Sequence, residues 1–177
     1  MQRVGLLSLI VLSLMACTGK PDGIEPISTF DSERYLGKWY EVARIENRFE
    51  QGLSQVTATY TARDDGGLTV VNRGFDMSEA RWKEAIGKAY FVDDRSSAHL
   101  KVSFFGPFYA SYITFHVGEN YDHAFVTGNS KDYLWLLSRT PSVSETTKAD
   151  FLSQAQKLNF DLTNLVWVEQ PLPKPVQ

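Results

Sequence analysis

Covalent chemistry needs a nucleophile with its base, or side chains at metal-ligand spacing, and this sequence is sparing with both. Its only cysteine is Cys17, at the end of an apolar N-terminal run. No Gly-x-Ser-x-Gly elbow presents a serine nucleophile. His99, His116 and His123 are scattered, form no metal-ligand spacing and leave no metal or other cofactor to expect; His99 and His116 also fall on the outward parity of their segments. The 18 basic and 21 acidic residues give a net charge of −3 with no basic run, which argues against a nucleic-acid partner. The more telling stretch is "YLGKWYEVARI" at 35–45. There Gly37 forgoes a side chain and Trp39 follows two residues later, an arrangement suited to a crowded floor closed by a large ring. The elements around it must say what is being closed.

The first sixteen residues, "MQRVGLLSLIVLSLMA", read as a secretory signal peptide: Arg3, an apolar run from Val4 to Met15, then small Ala16 before the cut. That run is too short to span a bilayer, which takes about 20 apolar residues. Cys17 stands alone, and a lone thiol forms no internal disulfide. "LMAC" resembles the lipobox of bacterial lipoproteins, which implies that Cys17 is lipidated and becomes the mature N-terminus; the alternative is an ordinary secreted protein with a chance cysteine at the cut. Acylation would anchor the chain firmly, because each buried CH2 adds about 0.8 kcal/mol. By resemblance to lipoprotein sorting, Thr18 in place of Asp implies the outer membrane, on its periplasmic face. Residues 17–29 then read as the lipidated cysteine and a flexible tether, since "TGKPDGIEPISTF" carries two Gly and two Pro without periodicity. Residues 30–170 suffice for one domain, and 171–177, "PLPKPVQ", read as a disordered tail.

Between these ends, apolar residues alternate and β-branched and aromatic types are frequent. "KWYEVARI", "SQVTATYTA", "LTVVNRGF", "ARWKEAIGKAYFV", "AHLKVSFF", "YASYITFHV", "HAFVTG" and "DYLWLLSRT" read as eight strands at hairpin spacing. "RDDGG" supplies a turn whose Asp-Gly step tolerates positive φ. A helix comes only afterwards: Ser142 and Glu145 make a capping-box pattern, and Phe151, Leu152, Ala155 and Leu158 form one apolar stripe. "NLVWVEQ" is a short ninth strand. Eight sequential antiparallel strands hide their edges by closing into a barrel, and at eight strands the interior just holds one small ligand. The expected fold is therefore all-β: an eight-stranded up-and-down antiparallel barrel with one C-terminal α-helix and a ninth strand. Trp39 plugs its floor, and Gly37 lets the chain turn in beneath.

These residues resemble a family. Gly37-Lys38-Trp39, preceded by "DSERYLG", resembles the Gly-x-Trp signature of the lipocalins, and Arg139 matches the lone Arg that in lipocalins lies across the floor Trp. "RFEQGL", "VTATY", "DDGGL", "GKAYF", "LKVSFFGPFY" and "DYLWLLSRTP", with the lipobox, resemble the bacterial outer-membrane lipocalins over nearly the whole mature chain. The second lipocalin motif, normally Thr-Asp-Tyr, is degenerate here as "GENYDHAF" and bears only on a turn. The resemblance implies a ligand-holding calyx, Gly37, Trp39 and Arg139 as a structural motif, non-catalytic binding of fatty acids or lysophospholipids, and a homodimer. A guanidinium on an indole face is worth about 0.5–2 kcal/mol, and Arg139 keeps donors for carbonyls of the N-terminal turn. The sharper alternative makes Arg139 an anchor for a ligand carboxylate. A lipocalin-type isomerase would need a thiol inside the barrel, and Cys17 is spent on lipid, so no catalytic residue is expected.

Parity anchored on Trp39 nominates the ligand-binding wall. It comprises Glu41 and Ala43 on the first strand, Val56, Ala58 and Tyr60 on the second, and Leu100, Val102 and Phe104 on the fifth. Tyr109, Ile113 and Phe115 join from the sixth, and Tyr133, Trp135 and Leu137 from the eighth. Ala85, Gly87 and Ala89 alternate along the fourth and would leave a void. Apolar and aromatic surface with a few hydroxyls is the usual make-up of a small-molecule site, and an acyl chain gains about 25 cal/mol per Å² on leaving water. Glu41 in such surroundings would have its pKa raised, unless a strand neighbour pairs with it. The competing reading is a filled barrel that works through its outer surface. "FFGPFY" at 104–109 sets four aromatics on a turn, as a membrane-dipping lip, a dimer contact or a cover for the pocket mouth, and Trp82 has outward parity.

Overall fold

The computed structural model describes residues 18–171; the signal peptide, Cys17 and residues 172–177 of the expected tail lie outside the described residues. Alternating apolar residues form strands in each expected segment: β1 (Gly37–Ile45), β2 (Leu53–Ala62), β3 (Leu68–Asp76), β4 (Arg81–Phe91), β5 (His99–Ser103), β6 (Ala110–Val117), β7 (His123–Thr127) and β8 (Leu134–Ser138). Each bonds antiparallel to the next, and β1 bonds both β8 and β2, which closes an eight-stranded barrel. A short α1 (Ser32–Tyr35) precedes β1, while α2 (Glu145–Lys157) and β9 (Leu165–Trp167) follow β8, with β9 bonded to β1 outside the barrel. Closure bonds the first and last strands of the barrel to one another, which is how eight meandering strands hide most of their edge groups.

The inward–outward pattern breaks at β1. Its first residues, Gly37 to Tyr40, pair with β2, and its last, Ala43 to Ile45, pair with β9. Between them the register against β8 slips at Glu41/Ala43. A bulge shifts every later side chain to the opposite face. Ala43, expected inside, therefore packs with Val42 in the outer layer beneath α2. Arg44 fills the wedge where β1 and β2 part, donating to the carbonyls of Glu50 (2.9 Å) and Leu53 (3.3 Å). The Gln170 amide bridges the same gap, donating to Glu41 O and Val56 O at 2.8 Å each. Buried carbonyls need such partners when a ladder splits.

Helix α2 explains the other departures. It covers the outer wall of the barrel, so Ile113, Phe125, Leu134 and Leu136 pack outward against Phe151, Ala155 and Phe160. Strands buried on both faces are apolar on both faces, and alternation then no longer tells inside from outside. Ile113 and Phe115, expected in the cavity, belong to this outer layer, while Tyr112 faces in. The helix N-cap is Ser144, whose side chain accepts from Thr147 N, and not Ser142.

The segment expected as a flexible tether is docked over residues 18–30. Ile24 is buried, Ile27 N donates to Thr114 O (3.0 Å), and Phe30 N donates to Ser96 O (2.7 Å). Gly and Pro break periodicity without preventing burial of Ile24, Ile27 and Phe30.

Candidate functional site: a small cavity above a packed floor

Trp39 is fully buried, and its Nε1–H donates to Tyr35 O at 2.8 Å. Gly37, at φ +91°, makes the turn that brings it under the barrel. The Arg139 guanidinium lies 3.8 Å from the indole centroid. It donates to Arg34 O (2.7 Å), Lys38 O (2.9 Å) and Tyr121 O (3.3 Å). One side chain thus ties together α1, β1 and the 118–122 turn. Above the indole, the Tyr35 and Tyr60 hydroxyls both meet Tyr112 OH, at 2.7 and 2.8 Å. Burial pushes the Tyr35 phenol up to about 12 and raises Tyr60 and Tyr112 as well, so all three stay un-ionised near neutrality.

A cavity of about 50 Å³ opens above this hydroxyl cluster. Val56, Ala58, Tyr60, Tyr112, Trp135 and Leu137 form its apolar and aromatic wall, and Glu41, Glu50, Thr57 and Asn72 its polar part. Ligand pockets commonly run to about 300–1,000 Å³, so an acyl chain enters only if the interior widens. The Phe104 ring takes up part of that interior. A Cβ at Gly87 would lie 2.8 Å from the Phe104 ring, so the void expected along β4 holds the half-buried Phe104 instead. On the opposite side, Glu50 reaches in from the 46–52 loop and accepts from Trp135 Nε1 (2.9 Å) and Asn47 Nδ2 (2.6 Å). Arg44 pairs with Glu41 (2.9 Å) and Glu46 (3.0 Å). Burial first, and then the adjacent Glu50 carboxyl, raise the Glu41 pKa well above the carboxylate range against the pull of Arg44. Asn72 Oδ1 is buried without a hydrogen-bond partner. The cavity wall therefore presents acceptors and carries no cation. A larger hollow of about 300 Å³ lies outside the barrel, between α2 and Trp167, and is open to solvent.

Of the nominated wall residues, Glu41, Val56, Ala58, Tyr60, Trp135 and Leu137 line the cavity. Leu100, Val102 and Phe104 pack in the barrel interior around it. Tyr109 instead lies against Tyr90 and Lys101, and Tyr133 stacks on Trp135 at 5.8 Å; neither lines the cavity, because both precede their strands and escape the alternation. Ala43, Ile113 and Phe115 are on the far side of the wall. Reading by apolar parity missed Glu50, Thr57, Asn72 and Tyr112. Asn72 shares the parity of Val70 and was open to discovery; Glu50 sits on a loop, where periodicity carries no signal. The histidines lie outside: His99 bonds Ser111 Oγ (3.2 Å), and His116 stacks on Phe125 at 4.4 Å.

Residues 30–170 match the family model of the lipocalin-like domain. The chain belongs to the lipocalin family. Outer membrane lipoprotein Blc of Vibrio cholerae serotype O1 is 50% identical over 169 residues, spanning 95% of this chain and 99% of the relative. Outer membrane lipoprotein Blc of Escherichia coli K12 is 48% identical over 160 residues, spanning 89% and 90%. Among solved structures, the cockroach allergen Per a 4 superposes with a TM-score of 0.66 at 19% identity, covering 83% of this lipocalin and 92% of the allergen. That last likeness is of fold alone. The Gly37-Lys38-Trp39 motif and the barrel thus belong to one family assignment, and the lipocalin carries its Trp39 plug and Arg139 at the closed end.

Proposed function

We propose that this lipocalin is a non-catalytic lipid-binding protein, anchored to the outer membrane through acylated Cys17 and facing the periplasm, that holds fatty acids or lysophospholipids in the barrel. The observation that carries the reading is the cavity walled by Val56, Tyr60, Trp135 and Leu137, closed below by a packed floor. Two relatives that are outer membrane lipoproteins by name match nearly the whole chain, which supports the anchored location. The acyl tail enters first, because no cation in the wall would hold a carboxylate there. Entry displaces the Phe104 ring from Gly87 and shifts the 46–52 loop. Transfer of the tail from water, at about 25 cal/mol per Å², offsets the cost of that rearrangement.

The cavity's small volume favours one alternative, a filled barrel that acts through its outer surface. Native mass spectrometry separates the two. A Cys17→Ser chain starting at residue 17, purified from bacterial extract and titrated with oleate and lysophosphatidylethanolamine, should carry co-purified acyl mass or saturate at one ligand per barrel or per dimer. No bound mass and no saturation would leave the filled barrel. The same spectra report whether the chain is a homodimer.

A further inference from the structure

Large apolar side chains left in water are gathered at one end of this barrel. Because β1 leaves the floor at Trp39, the loops 46–52, 77–80 and 104–109 surround the mouth, and 63–67, 92–98 and 118–122 the floor. Seven large hydrophobic residues are exposed among the described residues, and five of them are at the mouth. Phe49 is 62% exposed, Met77 60%, Trp82 45%, Phe105 75% and Phe108 73%; the other two, Ile86 and Trp167, lie on the sides. The floor loops expose none of this kind among the described residues. Two rim aromatics carry a guanidinium on the ring, Arg48 on Phe49 and Arg73 on Trp82. Aromatic rings beside arginines are what a lipid headgroup region accepts: the rings enter the acyl boundary and the cations stay among the phosphates.

The path of the N-terminal segment says what covers this rim. Followed backwards from Phe30, which bonds Ser96 in a floor loop, the chain passes Ile27 on Thr114 and reaches Gly19, whose carbonyl accepts from Ser111 Oγ at 2.7 Å. Ser111 is the second residue of β6, immediately after the 104–109 loop. The segment therefore climbs the wall from floor to mouth. The described residues begin at Thr18, next to Gly19 and so at the mouth end of the wall. We infer that the mouth of the barrel docks on the lipid bilayer, with Phe49, Met77, Phe105 and Phe108 dipping into it, so that a lipid passes between membrane and cavity without crossing water. The inference rests on the reading that Cys17 bears the anchor, because an acylated residue so close to the rim turns the mouth, rather than the floor, towards the membrane.

The test uses the full lipoprotein from bacterial membranes, with its acylated N-terminus first verified by mass spectrometry. The acylated chain has no free thiol, so Phe105→Cys and, at the floor, Asp64→Cys each introduce a single site for an environment-sensitive fluorophore. Both positions are exposed, so neither change should disturb folding. In vesicles of phosphatidylethanolamine and phosphatidylglycerol, the label at 105 should shift to the blue and be quenched by spin-labelled lipid severalfold more than the label at 64. Equal quenching, or a label at 105 fully open to aqueous iodide, overturns the inference. So does a label at 105 already shielded in detergent and released on dilution, which would place a second copy of the chain on the rim. If no acyl mass is found, the anchoring reading fails on its own account. Vesicles added to the unacylated chain with Cys17→Ser, which keeps position 105 the single labelled site, then decide the rim: quenching at 105 supports it, and its absence overturns it.

Discussion

Removing the Trp39 indole takes away both the surface under Arg139 and the donor that Tyr35 O accepts. Trp39→Ala should therefore cost about 3–5 kcal/mol, the range for truncating a fully buried aromatic; a urea midpoint close to the parent's would contradict its place as the floor. Glu41 gives a prediction of opposite character. Its pKa is raised in the fold, chiefly by burial, so the folded state binds the proton more tightly than the unfolded chain does. That contribution to stability is present below the unfolded carboxyl's pKa and is lost as pH rises through the folded one. Calorimetry of Glu41→Gln should accordingly show a smaller fall in Tm between about pH 5 and about pH 8 than the parent; an identical fall would mean that Arg44 holds Glu41 ionised throughout. At this scale the floor was legible, because Gly and Trp in Gly37-Lys38-Trp39 have no other economical use. The acidic cluster was not, since Glu50 and Arg44 meet Glu41 only through a loop and a bulge.

Strand positions are legible from period-two alternation, and their faces are legible only where one side is wet. β2 shows the readable case: Val56, Ala58 and Tyr60 all line the cavity. β6 shows the other, because α2 buries its outer face and makes Ile113 and Phe115 look like cavity residues. The slip in β1 lies in its register with β8, just before the residues that pair with β9 more than a hundred positions away, and no local pattern announces either. Gly87 was rightly seen as making room, but the room belongs to the Phe104 ring. Phe104→Ala should consequently leave the half-exposed loop folded and speed the association of a fluorescent fatty acid with the barrel. An unchanged rate in stopped-flow measurements would move the gate elsewhere, first to the 46–52 loop.

Taken whole, the molecule is polarised. Its floor is sealed by Trp39, Arg139 and α1, its middle holds a small cavity with no cation in its wall, and most of its exposed aromatics gather at the mouth. The proposed activity requires a ligand tail inside that cavity, against Trp135 in its wall, while Trp82 and Trp167 are exposed on the exterior. Quenching of tryptophan fluorescence by a lysophospholipid brominated along its acyl chain reports that proximity most directly. Saturable quenching is expected in the parent and should be largely lost in Trp135→Phe while binding persists by mass spectrometry. Quenching of equal size in both proteins would put the lipid on the outer surface and contradict the proposed activity.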